Sequence, residues 1–163
     1  MNNNYDLEKI NLAKEVYERI LEIYTEKYSH DDNPSALAFY TTGSCWYMAK
    51  MLKYLFPYSQ IIEIGDADHF YVEVNTEPIN FIYPGDQRIR EVTPEYIGFT
   101  DDIFYYDKGE KTHKYRDKMS LDIINTILAD PKFKDRLGDI RGDVCFYGLE
   151  EIEMDSKKDT HHM

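Results

Sequence analysis

Cysteine is nearly absent from this chain. Cys45 and Cys145 are its two cysteines, too few for a disulfide framework. No apolar run approaches the roughly 20 residues that a membrane span needs, and none stands near the N-terminus. Neither a membrane segment nor a secretory leader is expected, and a bacterial-type cytoplasm is the compartment implied. The eight glycines are scattered rather than gathered into a phosphate-binding loop. Basic residues are the minority: 19 Lys and Arg against 31 Asp and Glu leave a net charge of −12. Direct binding of a nucleic-acid backbone or an anionic membrane demands clustered cations, and this balance argues against both. A basic protein partner is compatible with it. Solubility is the plainer account of the charge.

Hydrophobic residues make up 42% of the 163 positions, and the aromatics include 15 Tyr and 8 Phe. Length predicts one domain over 1–163, with a core over about 5–150 and a disordered polar tail at 155–163. At this size roughly 70% of the unfolded surface can be buried, so no metal or disulfide staple is needed. Tyrosine serves equally as an interface residue and as an amphipathic core filler.

From Tyr5 to about Tyr28, apolar residues recur at helical spacing, from Leu7 and Ile10 to Ile23 and Tyr24. Residues 29–34 form a breaker cluster, and a short helical turn is expected over 35–40. A second helix runs from about Cys45 to Phe56 and stops at Pro57. Strands follow at 60–64 and 69–74, then a hairpin loop and a returning strand at 79–83. Residues 86–109 read as irregular, with weak strand signals at 88–92 and 103–106. A helix over 120–128 takes Ser120 as its N-cap. Further turns are expected at 131–137 and a last strand or extended segment at 142–147. Helices and strands are segregated, which predicts an α+β fold.

Cys45 centres the chemistry. It opens a helix behind Gly43 and Ser44, where unpaired backbone N–H groups and the helix dipole favour a thiolate. A buried core thiol is the ordinary fate of a lone cysteine, and Cys145, in Asp-Val-Cys-Phe-Tyr, is expected to meet it. His69 heads a strand one strand and a turn later and is the candidate base. Asn80 lies eleven residues on, and its side-chain carbonyl is a candidate to fix the His69 tautomer. A one-residue shift in the hairpin loop decides whether it shares His69's face. Asp86 is the backup orienter. Asp66, Asp68 and His69 are close enough for a metal clip, but an Asp-rich turn is usually only a turn. No metal and no cofactor is expected.

Gly43-Ser44-Cys45-Trp46 at a helix start resembles the nucleophile motif of papain-like cysteine peptidases. The order of Cys, then His at a strand head, then Asn or Asp beyond it is similar to that of the wider papain-like and transglutaminase-like fold. The stretch over 36–86 is closest to small phage and bacterial members. The resemblance implies N-terminal helices packed on a small antiparallel sheet. It implies a hydrolase or transferase attacking an amide or thioester-like carbonyl through Cys45, His69 and Asn80, with a peptide or protein substrate. Phe39 stands where that family carries an oxyanion-hole Gln, so Thr41, Thr42, Ser44 and Trp46 are the possible oxyanion or substrate contacts. The competing expectation is a non-catalytic acidic binding protein on the same scaffold, such as a phage-encoded inhibitor of a basic host defence protein.

Overall fold

The computed structural model describes residues 4–28, 35–41, 45–65, 69–81 and 89–147. The fold is α+β. Its elements in chain order are α1 (Asn4–Lys27), α2 (Ala36–Thr41), α3 (Cys45–Leu55), β1 (Gln60–Ile64), β2 (His69–Val74), β3 (Glu77–Pro78), β4 (Ile89–Val92), α4 (Pro94–Lys108), α5 (Glu110–Ala129) and α6 (Pro131–Leu137).

α3 is the hub. Nine of its residues are buried, Cys45 to Leu52 and Leu55, so it is enclosed on every side rather than amphipathic. The β2 strand covers one flank and α5 another, with α1 and α2 closing the rest. α1 meets this core through Ile10, Ala13, Val16, Tyr17, Ile20, Ile23 and Tyr24, all buried. Those positions repeat at three and four residues, which keeps them on one helix face. Asp6 in its first turn and Lys27 in its last oppose the helix dipole.

The sheet is antiparallel in the order β3-β2-β1-β4. Period-2 alternation gives β2 two different faces. Phe70, Val72 and Val74 join the main core, whereas Tyr71 packs with Ile62, Ile64 and Phe81 in a second cluster. Asn75 and Thr76 both have positive φ and form a two-residue turn between Val74 and Glu77, which pair.

Several expectations are corrected. The returning strand is only Glu77–Pro78, not 79–83; Ile79 still donates its N–H to Val72 O at 2.9 Å, and residues 82 and 83 lie outside the described set. The weak strand signal at 103–106 belongs to α4 instead. Ser120 is not a cap. It lies within α5, buried, with its hydroxyl donating to Arg116 O at 2.8 Å. Residues 142–147 form no strand; Gly142 N–H donates to Tyr54 O at 2.8 Å and seats Val144 and Phe146 in the core. The breaker cluster at 29–34 and the tail at 155–163 lie outside the described residues.

Candidate functional site

Cys45 on α3, His69 on β2 and Asn80 just after β3 border one small cleft of about 30 Å³. That volume holds about one water molecule. Met48, Phe70, Ile79 and Phe81 complete much of its wall. The cleft sits on β2 beyond the short β3, on the edge away from β1, where no other strand among the described residues pairs with it.

Cys45 is the first residue of α3 and is 4% exposed. Burial pushes its thiol above the ordinary range. Hydrogen bonds from the backbone at Phe70, Trp46 and Cys45 itself pull the other way, as does the Lys108 charge, but burial outweighs them. The helix start therefore supplies the donors the sequence implies without supplying a standing thiolate.

His69 pairs with Ile64 on β1, and its ring lies 5.3 Å from that of Phe81. Alternation puts it on the Tyr71 face of β2, while Phe70 faces α3. Burial lowers its pKa below the ordinary histidine value. The imidazole makes no hydrogen bond among the described residues. Asn80 sits after the hairpin with φ +51°, and its amide N–H reaches Glu18 Oε1 on α1 at 3.5 Å. The structure thus gathers the three residues around one cleft without joining them in a hydrogen-bonded chain.

Trp46 is no substrate contact in this arrangement. It is fully buried, donates its indole N–H to Asp101 Oδ1 at 2.8 Å, and stacks on Phe104. Thr41 ends α2. Thr42, Ser44 and Asp86 lie outside the described residues, as do Asp66 and Asp68. Cys145, expected to be buried, is exposed, because its neighbours Val144 and Phe146 take the inward positions. Among the described residues no group of three or more His, Cys, Asp and Glu side chains is placed to hold a metal ion.

Sequence reasoning missed a second polar centre. Lys50 Nζ, fully buried, bonds Asp101 Oδ1 at 2.9 Å and Asp117 Oδ1 at 3.0 Å. Asp117 Oδ2 accepts the Tyr147 N–H at 2.8 Å and lies 3.5 Å from His113 Nε2. Tyr47 Oη is 2.6 Å from His113 Nδ1. A carboxylate accepts only, so the neutral ring carries its proton on Nε2, and Nδ1 accepts from the Tyr47 hydroxyl. This network ties α3, α4, α5 and the segment ending at Tyr147 together. Its signal in the sequence was Lys50 amid the apolar residues of α3, with His113 and Asp117 four residues apart on another helix.

A groove of about 790 Å³ lies between α1 and α6, lined by Glu8, Lys9, Glu15, Tyr58, Asp135 and Arg136 among others. An Arg136 to Glu15 ion pair crosses it, and Lys9 Nζ lies 4.3 Å from the Tyr58 ring centre. A smaller concavity of about 390 Å³ continues past Glu18 and Glu22. No family model, curated protein or solved structure matches the chain.

Proposed function

We propose that the chain is a small papain-like acyl hydrolase or transferase whose nucleophile is Cys45. The observation that carries this reading is the convergence of Cys45, His69 and Asn80 on one cleft, from a helix start, a strand head and a post-hairpin turn. Thiol and imidazole are both pushed toward their neutral forms. The mechanism is therefore general-base attack rather than attack by a preformed ion pair. A carbonyl substrate opens the cleft, and the His69 ring turns over the free edge of β2 from Phe81 to the sulfur. His69 takes the thiol proton as sulfur bonds the carbonyl carbon. The oxyanion is met by backbone N–H groups already directed at the sulfur. His69 then returns its proton to the leaving group. Water, or an acceptor nucleophile, cleaves the resulting thioester. Asn80 exchanges Glu18 for the imidazole and orients it.

The test is turnover of a panel of aminocoumarin amides and acyl thioesters, with mass spectrometry for the acyl-enzyme. Wild-type protein should turn over at least one member. Cys45→Ser should abolish turnover and His69→Ala should lower it a hundredfold or more, both in folded protein. Turnover unchanged in Cys45→Ser, or none across the panel, would overturn the reading.

A second reading, an acidic binding protein, is favoured by the α1–α6 groove. Its volume of about 790 Å³ dwarfs the cleft at Cys45, and the chain's net charge of −12 suits a basic partner.

A further inference from the structure

α4 buries Ile97, Thr100 and Phe104 and leaves another flank bare. Along that flank run Tyr96, Phe99, Ile103 and Tyr106, at intervals of three, four and three. Such spacing places four large side chains in one line. Tyr96, Phe99 and Tyr106 are exposed, Tyr106 at 81%, and Ile103 is half-buried. The line is about 15 Å long, nearly three helical turns. Scattered surface aromatics need no explanation, but a continuous stripe does.

Its rim is acidic. Glu95, Asp102 and Asp107 are exposed on the same helix, against Lys108 as the helix's one cation. Arg90 lies over the Tyr96 ring at 5.0 Å, yet its guanidinium already bonds Glu63 at 2.7 Å.

We infer that this flank of α4 is a docking face for an amphipathic helix of another protein. That helix has apolar residues at three-and-four spacing, with Lys or Arg beside them. The aromatic line supplies anchors that bury much area for few frozen rotamers, and helix against helix is a standard recognition mode. The acidic rim selects a cationic partner. A second copy of this chain is disfavoured, because it would set two molecules of charge −12, and two such rims, against each other. No residue of the face borders the Cys45 cleft, so the assignment stands apart from the reading of Cys45.

The probe is a fluorescein-labelled synthetic 18-residue helix of Leu and Lys, titrated with the intact protein by anisotropy. We expect saturable one-to-one binding. Phe99→Ser with Tyr106→Ser should weaken it tenfold or more, and Glu95→Lys with Asp102→Lys several-fold, with a shallower salt dependence. Glu8→Lys with Glu15→Lys, in the α1–α6 groove, should change it less than twofold. Circular dichroism checks each fold, and Tyr106→Ser alone replaces the double variant should that unfold. Unsaturable binding, equal binding by the aromatic variants, or loss confined to the groove variant would overturn the assignment. So would sedimentation showing a wild-type dimer that Tyr106→Ser dissociates.

Discussion

Lys50 Nζ sits 3.0 Å from Asp117 Oδ1, with both side chains sealed from water. The same ammonium bonds Asp101 at 2.9 Å. Truncating Asp117 leaves the buried ammonium with Asp101 alone as counter-charge, and breaking a buried pair typically costs about 3–5 kcal/mol. Asp117→Ala should cost that much in urea titrations, since it also strips the Tyr147 N–H of its acceptor. Glu77→Ala, which breaks an exposed ion pair with Lys14, should cost less than about 1 kcal/mol. Similar losses for the two would refute the assignment of Lys50 and Asp117 as a structural pair.

His113 makes stability depend on pH. Burial holds its folded pKa below 6.5, with the Asp117 charge opposing and Lys50 assisting. Asp101 and Asp102 on α4 also oppose, and Tyr47 on α3 occupies Nδ1. A depressed histidine pKa means that the unfolded chain binds the proton first. Stability from this group is complete above about pH 6.5 and falls as pH drops toward the folded pKa. His113→Gln should flatten the loss of thermal midpoint between pH 7 and 5.5 relative to wild type. An equally steep loss in that variant would remove His113 as the cause.

The two thiols differ in access. Cys145 is exposed and Cys45 buried, its thiol disfavoured as an anion. Iodoacetamide at pH 7.5 should label Cys145 at least tenfold faster, read by peptide mass spectrometry. In urea the two rates should converge. Cys45 reacting first in native protein would mean that the cleft opens far more than the resting geometry implies.

Two glycines should respond in opposite directions. A Cβ on Gly142 would lie 2.0 Å from Lys53 O, a backbone atom that cannot yield. Gly142→Ala should destabilise by about 1–3 kcal/mol and loosen the segment carrying Val144 and Phe146. A Cβ on Gly98, inside α4, meets nothing within 4 Å. Gly98→Ala should stabilise by about 0.5–1 kcal/mol through helix propensity. Paired denaturant titrations decide both.

The α1 stripe, α3 and the first two strands were legible because their hydrophobic periods were uninterrupted and their breakers strong. α4 was not. Ile103 to Tyr106 are β-formers, and Gly98 weakens the helical pattern, yet packing of Ile97 and Phe104 against the core decides the state. Thr93-Pro94-Glu95 was an available helix-start signal, with Pro in the first turn and an acid behind it. The order of Cys45, His69 and Asn80 made them legible as candidates, but that they border one cleft was not legible. Nor was their orientation, because it turns on strand parity, which places Phe70 and not His69 opposite α3. The centre at Lys50 was illegible for a different reason: its members are 51 and 67 residues apart in the chain, and a lone lysine does not announce its partners.

α1 finds its later neighbours far along the chain. Lys27 meets Asp122 across 95 residues, and Glu15 meets Arg136 across 121. At roughly 5–20 residues per second on the ribosome, α1 waits on the order of 5–25 s for those neighbours to be made. Through that interval part of its apolar stripe has no native cover. α1 is thus open to misassociation through that interval, and the arrival of α5 and α6 ends the exposure.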